Sequence, residues 1–170
     1  MSEYEGPETT EYGHDDNYAP EPTHDEHVIV AQFTDGSQLG VADYDHDGYA
    51  DILATDADGD GRPEDVYTNE HGGVALDTHY VDHNEDGNPE QVYADTNEDG
   101  YVDAVAADTD HDGALDTAAF DRNYDGHVDQ VQQDPDEDGN IDRTVTDTDF
   151  DGVFDTVHYG DHDTNPYARA

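Results

Sequence analysis

The stretch DYDHDGYAD, residues 43–51, places four aspartates around a single glycine in nine positions. Carboxylates held this close repel one another, so the crowding needs a physical reason. The same spacing returns at every thirteenth residue with no insertion between copies. The nine copies, called units 1 to 9 below, begin at Asp43, Asp56, Asn69, Asp82, Asp95, Asp108, Asp121, Asp134 and Asp147.

Eight of the nine units have the pattern Asp-x-Asp/Asn-x-Asp-Gly-x-x-Asp/Glu, followed by four residues of different character. Unit 3, NEHGGVALD, keeps the length but loses the pattern. Position 9 is acidic in every unit, which an acidic disordered tail would not maintain. The sequence therefore predicts a structural repeat with a 13-residue period.

Composition alone indicates a different outcome, because 170 residues carry 47 acidic and 4 basic side chains, a formal charge of −43, and are only 32% hydrophobic. Chains of this kind are usually disordered. The charge argues against nucleic acid and anionic membranes as partners and favours cations. Because the chain has no cysteine, oxygen and imidazole are its only good metal ligands.

The acidic loop of each intact unit is suited to a hard divalent cation such as calcium, which takes six to eight oxygens at about 2.3–2.6 Å. Side chains at positions 1, 3, 5 and 9 can converge on one point, position 7 can offer its backbone carbonyl, and glycine at position 6 permits the reversal. A simple turn is the alternative interpretation, but a turn has no use for acids at positions 1, 3 and 9.

These five positions in the eight intact units are the predicted metal ligands. They are Asp43, Asp45, Asp47, Tyr49, Asp51; Asp56, Asp58, Asp60, Arg62, Glu64; Asp82, Asn84, Asp86, Asn88, Glu90; Asp95, Asn97, Asp99, Tyr101, Asp103; Asp108, Asp110, Asp112, Ala114, Asp116; Asp121, Asn123, Asp125, His127, Asp129; Asp134, Asp136, Asp138, Asn140, Asp142; and Asp147, Asp149, Asp151, Val153, Asp155.

The motif resembles the calcium loops of integrin-type β-propellers and the tandem calcium repeats of thrombospondin type 3, over residues 43 to 155. It is not an EF-hand, because position 12 carries no acidic ligand. The resemblance implies that the ninth residue closes each calcium site. A 13-residue step leaves no room for propeller blades, and the disulfides of thrombospondin type 3 repeats are absent from this sequence.

Apolar residues recur at positions 8 and 11, which we interpret as buried seams, and positions 10 to 13 read as a short strand. The expected fold is all-β, a calcium-stapled β-solenoid or β-roll-like array with a 13-residue repeat. The alternative is an irregular thread wound around a row of calcium ions. Upstream, HVIVAQFTDGSQLGVAD predicts a hairpin through Asp35-Gly36 that caps the array.

The predicted organisation is a disordered acidic segment over 1–26, the hairpin cap over 27–42, nine repeats over 43–159 and a tail over 160–170. Neither a signal peptide nor a membrane span is visible. Calcium availability favours an extracellular or cell-surface location.

Three further features are open to two interpretations each. The histidines either form a transition-metal or catalytic site or face solvent, and because they share no common repeat position we expect them to face solvent. The sequence also has no nucleophile constellation, so an enzyme is not expected. Unit 3 is either a decayed site or a deliberate gap for bending or partner contact. Tyr67, Tyr80 and Tyr93, all at position 12, form either an exposed binding stripe or part of the packing along the stack.

The expected function is non-enzymatic calcium binding, in which about eight ions, one per intact unit, fold and stiffen the chain into a structural or adhesive spacer. A buffer or sensor for calcium or another hard cation such as a lanthanide is the alternative, and a nucleic-acid mimic is a third. Calcium is the expected ligand, with a protein partner or self-association through the repeat surface, no nucleic acid and no membrane insertion.

Overall fold

The computed structural model describes residues 28–160, which form one sheet of eleven strands. The predicted disordered segment 1–26 and residues 161–170 of the tail lie outside the described residues. The strands are β1 (Val28–Gln32), β2 (Gln38–Ala42), β3 (Ile52–Asp56), β4 (Asp65–Thr68), β5 (Thr78–Val81), β6 (Gln91–Ala94), β7 (Ala104–Ala107), β8 (Thr117–Phe120), β9 (Gln130–Gln133), β10 (Arg143–Thr146) and β11 (Thr156–Tyr159).

The predicted all-β repeat array is confirmed, and it takes the form of an open antiparallel meander. Each strand pairs with its neighbour in sequence, in the order β1 to β11, so the units build a regular sheet rather than an irregular thread. The first two strands form the hairpin over Asp35-Gly36. Because consecutive strands reverse direction, consecutive loops lie at opposite ends of the sheet, and loops at the same end are 26 residues apart.

Each loop is closed by a repeated backbone hydrogen bond. The N–H of position 9 donates to the carbonyl of the residue before position 1 in all nine units, at 2.8–3.0 Å, as from Asp116 to Ala107. A second bond joins loops at the same end. The N–H of position 1 donates to the position-9 carbonyl of the unit two before it, as from Asp108 to Glu90 at 3.0 Å. Loop and sheet are therefore one continuous hydrogen-bonded framework.

The buried interior differs from the predicted seams. Position 8 is exposed in six of nine units, at 52% for Val102 and 47% for Val128, so its interpretation as a buried seam is wrong. The reason is that a single sheet layer has no second layer to cover the loop flank. In the described residues the only buried apolar side chains are Ala42 and Val81.

Aspartates take the place of an apolar core. Nine of them are buried, all at position 1 or position 9, with exposed fractions from 2% to 7%: Asp56, Asp77, Asp103, Asp108, Asp116, Asp121, Asp129, Asp142 and Asp147. Among residues 28–160 there is no helix long and apolar enough to cross a membrane.

Candidate metal centres

Position 1 organises the loop through its carboxylate. In all eight intact units the glycine N–H at position 6 donates to the position-1 carboxylate at 2.7–3.2 Å, as from Gly113 to Asp108 at 2.9 Å. The glycines at this position have φ between +85° and +103°. That conformation disfavours a side chain, which explains the glycine of the motif.

Position 9 closes the loop from its other side. The position-2 N–H donates to the position-9 carboxylate at 2.5–3.4 Å in every unit except unit 8, where position 2 is Pro135 and has no N–H. The acid that recurs in register through all nine units is thus also a structural acceptor.

The structure brings positions 1, 3 and 9 together. A carboxylate oxygen from each lies within 4.8 Å of the other two in unit 1 (Asp43, Asp45, Asp51), unit 2 (Asp56, Asp58, Glu64) and unit 6 (Asp108, Asp110, Asp116). Such groups could hold a metal ion. The geometry matches the predicted convergence of these three positions, while the role of each residue as a ligand stays a prediction.

The position-5 carboxylate is not part of the group formed by positions 1, 3 and 9 in these three units. In all eight intact units its carboxylate accepts the N–H of position 7, as from Ala114 to Asp112 at 3.1 Å. In units 2 and 6 the carboxylates of positions 3 and 5 form a second group with a glutamate from another unit: Asp58, Asp60 and Glu85, and Asp110, Asp112 and Glu137. The predicted carbonyl ligands at position 7 remain a prediction.

Those glutamates reveal a feature that the sequence motif does not specify. Both stand at position 4, and each reaches the loop two units earlier at the same end of the sheet. Glu98, also at position 4, lies over Gly73 of unit 3, where a Cβ added to the glycine would be 2.7 Å from Oε2 of Glu98. Phe150 at the same position lies beneath Arg122, whose Cζ is 5.9 Å from the ring centroid. Position 4 therefore supplies the lateral side-chain contact between loops.

The backbone at position 4 is left-handed in every unit. Seven of the nine residues are not glycine, with φ from +55° to +68°, and the other two are Gly59 and Gly72. A left-handed residue with a side chain costs about 1–2 kcal/mol. Because position 4 in the motif is variable, no single residue type signals this conformation, and it could not be predicted from the sequence.

Several buried carboxylate oxygens of the loops accept no hydrogen bond within the described residues: Oδ1 of Asp82, Oε1 of Glu90, Oδ1 of Asp134 and Oδ1 of Asp147. Asp82 and Glu90 are positions 1 and 9 of the same unit. Asp147 is only 2% exposed. A buried anionic oxygen without a partner is costly, so these atoms are available to a cation.

Hydrogen bonding keeps several of the buried acids ionised. Burial alone would raise the pKa of Asp108, but the N–H groups of Gly113, His111 and Asp112 outweigh burial and hold that pKa below its ordinary value. The pKa of Asp147 is lowered as well, because backbone N–H groups, above all that of Gly152, which donates to Oδ2, outweigh its burial. Ionised carboxylates are the form that binds metal.

The inter-loop groups have the opposite electrostatics. Burial raises the pKa of Glu85, and the neighbouring carboxylates of Asp60 and Asp58 raise it further. Burial followed by the charge of Asp112 raises the pKa of Glu137 in the same manner. Burial and like-charge crowding thus act together on the pKa of both glutamates, and a cation bound beside them would oppose both effects.

Unit 3 is closed by its own side chains. Oδ1 of Asn69 accepts the N–H groups of Gly72 and Gly73, at 2.7 and 3.1 Å. Nδ1 of His71, at position 3, lies 2.9 Å from Oδ2 of the buried Asp77. An imidazole nitrogen thus occupies the side of the position-9 carboxylate where an intact unit presents a further carboxylate.

The three position-12 tyrosines do not form one stripe. Tyr67 and Tyr93 lie on the same face of the sheet, on either side of His79, because each is its direct cross-strand partner. Tyr80 pairs with Val66 and Val92 in the adjacent row, so it lies on the opposite face.

Fold and loops together define an all-β repeat array whose acidic loop groups could hold metal ions. Comparison with protein-family models, curated proteins and solved structures found no significant match.

Proposed function

We propose that the chain is a non-enzymatic calcium-binding repeat protein that folds and stiffens as its eight intact loops take up about one Ca²⁺ each. In this proposal it acts as a structural or adhesive spacer. The observation that carries the proposal is the burial of nine aspartates at positions 1 and 9, of which Asp56, Asp108 and Asp116 stand in groups with further carboxylates.

The lack of counter-charge supports a cation. The described residues include three arginines and no lysine. Among them, the one ion pair between an arginine and a loop carboxylate joins Arg122 and Asp129, with Nε and Oδ1 2.5 Å apart. The other close carboxylates therefore need charge from solution, and divalent cations deliver two positive charges to each loop.

The donor set supports calcium over softer metals. Intact units offer carboxylate oxygens, with an asparagine amide at position 3 in units 4, 5 and 7. Oxygen ligands of this kind suit Ca²⁺, Mg²⁺ and lanthanides, whereas Zn²⁺ and Cu²⁺ prefer imidazole and thiolate.

The burial pattern supports folding that depends on the metal. Two buried apolar side chains give little hydrophobic stabilisation, and an array that buries aspartates instead must offset their repulsion. Because cation binding supplies that compensation only in the folded geometry, its free energy contributes directly to folding.

The test is a Ca²⁺ titration of the chelator-treated full chain, followed by circular dichroism and calorimetry. We expect about eight ions per chain, one for each intact loop, and a gain of β structure as they bind. A chelator-treated protein with the same β spectrum and melting temperature as the loaded protein would contradict metal-dependent folding. An absence of Ca²⁺, Mg²⁺ and La³⁺ binding would contradict the hard-cation site itself.

A cation buffer or sensor is the second candidate, and the inter-loop contacts of Glu85 and Glu137 favour it. Each glutamate belongs to one loop but neighbours the acids of another, so binding at one loop changes the charge felt by the next. Affinity separates the two candidates. An extracellular spacer is expected to bind Ca²⁺ with a dissociation constant of about 10⁻⁴–10⁻³ M, and a sensor or buffer with one of about 10⁻⁷ M or tighter.

A further inference from the structure

Three aromatic rings on adjacent strands form a platform on one face of the sheet. Tyr67 and His79 stack at 4.1 Å between centroids with 6° between their planes, and His79 and Tyr93 follow at 5.7 Å and 25°. Nε2 of His79 lies 2.7 Å from Oδ1 of Asp65, which fixes the central ring against the strand beside it.

The platform is part of the floor of an open groove of about 850 Å³. Leu76 of unit 3 and Tyr101 of unit 5 also line it, so the groove lies beside the one loop that lacks the metal motif. Tyr101 is 77% exposed, which leaves its ring accessible from solution.

The groove carries negative charge and no arginine or lysine among its lining residues. Part of that charge belongs to unit 5, whose acids are proposed to hold a cation. Three acids are left over, and one of them, Asp77, already contacts His71. Asp65 stands in β4, and Glu98 comes from the loop of unit 5 at the far end of the strands, lying over Gly73 because unit 3 has no acid there.

An aromatic face flanked by carboxylates is suited to a guanidinium group. Arginine stacks on aromatic rings and pairs with carboxylates through its planar set of N–H donors. The two remaining acids are separated along the strand direction by about the length of a four-residue strand, roughly 13 Å. That separation suits two arginines on one extended segment rather than a single small cation.

We propose that this groove binds an extended basic peptide segment, with arginine side chains stacked on the platform of Tyr67, His79 and Tyr93 and paired with Asp65 and Glu98. Unit 3 is then a gap in the metal array that opens a protein-binding surface. A sugar ring can also stack on tyrosine, but the carboxylates of Asp65 and Glu98 at the two ends of the platform favour a cationic occupant.

The test uses the Ca²⁺-saturated full chain and the peptide acetyl-Arg-Gly-Gly-Arg-amide, titrated by calorimetry at low and at physiological salt. The control peptide replaces both arginines with neutral citrulline. Tyr93→Leu removes the aromatic face while keeping apolar volume, and Tyr80→Leu is the matched control on the opposite face. Glu98→Gln tests the acid over unit 3.

We expect the citrulline peptide not to bind, Tyr93→Leu to weaken arginine-peptide binding at least about tenfold, and Glu98→Gln to weaken it severalfold. Tyr80→Leu should bind as the parent does. Equal binding by Tyr93→Leu and Tyr80→Leu would mean general attraction to the acidic surface and would overturn the proposal. So would equal binding of the citrulline peptide, or displacement of the arginine peptide by a neutral oligosaccharide.

Discussion

Units 3 and 6 form a natural matched pair, since the loops of both end in Ala-Leu-Asp and the strand that follows begins with threonine. Only unit 6 keeps the acidic motif. The two loops share their framework. The N–H of Asp77 and that of Asp116 each close their loop on the preceding strand, and each carboxylate accepts a hydrogen bond from the following threonine, Thr78 or Thr117.

What differs is the charge inside the loop. In unit 6, Asp110 brings a third carboxylate to Asp108 and Asp116, whereas in unit 3 the same position holds His71, which contacts Asp77 directly. The hydrogen bonds that close the loop are therefore separable from its negative charge. Position 1 needs an oxygen acceptor, which Asn69 also supplies, but not a charge, and position 3 needs no acid. The extra charge at these positions is the clearest reason to connect them with a cation.

Converting unit 6 into a copy of unit 3 has the largest expected effect. The substitutions Asp108→Asn, Asp110→His and Asp112→Gly give unit 6 the unit 3 residues at positions 1, 3 and 5. We expect calorimetry to show about one ion fewer than in the parent chain, because three of the four acids at the predicted ligand positions of that loop are gone.

Asp77→Asn in unit 3 is the matched control, and it should leave the ion count unchanged whatever it does to stability. An unchanged count in the converted unit 6, or a loss of one ion with Asp77→Asn, would contradict the division between metal-binding and self-closed loops.

Intact units should need glycine at position 6 for its backbone conformation, whereas unit 3 should not. Gly126 has φ +89° and a Cβ there would meet no atom within 4 Å, so Gly126→Ala tests conformation alone. We expect a loss of about 1–2 kcal/mol in the free energy of unfolding, measured by denaturation in Ca²⁺.

Unit 3 has Val74 at this position, and no positive φ accompanies it. Val74→Gly should therefore bring no gain in stability. Stabilisation by Val74→Gly, or a neutral Gly126→Ala, would mean that the two loop types do not differ in backbone conformation at position 6.

Glu85→Gln should have the smallest effect. It should favour the folded state slightly when cation is absent, and weaken Ca²⁺ binding when cation is present. The raised pKa of Glu85 means that the folded chain resists its ionisation, so its charge destabilises the cation-free fold as pH rises above the ordinary value of 4.5. In chelator at pH 7, the small fraction of chain that is folded should therefore be slightly larger for the variant than for the parent, as measured by circular dichroism. With Ca²⁺ the same variant should bind the ion of unit 2 more weakly.

Glu98→Gln is the control, because Glu98 lies over Gly73 instead of acids at positions 3 and 5. It should change neither the folded fraction in chelator at pH 7 nor the Ca²⁺ affinity of unit 2. Equal behaviour of the two variants would show that the inter-loop carboxylates do not interact with bound cation.

The repeat was predictable from the sequence because period, strand length and loop chemistry are all local. Positions 10 to 13 form strands in every unit, and Gly36 lies in the hairpin that was expected. The direction of successive strands was not predictable, since a 13-residue step is compatible with stacked coils and with a meander. Which loops are neighbours depends on that direction, so the contact of Glu85 with Asp60 could not be foreseen.

The exposure of position 8 was missed for a related reason. Apolar recurrence indicates burial only if a second layer covers it, and this fold has one layer. The aspartates at positions 1 and 9 became the interior instead, because backbone N–H groups surround them, as around Asp108. A prediction from hydrophobic patterning assigns charged residues to solvent, so it cannot predict that aspartates are buried while apolar residues are exposed.

The alternation of loops between the two ends of the sheet limits how such a chain can lengthen. Adding or deleting a single 13-residue unit would transfer every later loop to the opposite end of the sheet, away from the earlier loops with which it shared an end. Adding two units leaves every loop at its original end. Glu85 and Glu137, 52 residues apart, keep equivalent neighbours because two 26-residue steps separate them. The structural module of this architecture is therefore the pair of units, although the sequence repeats by one.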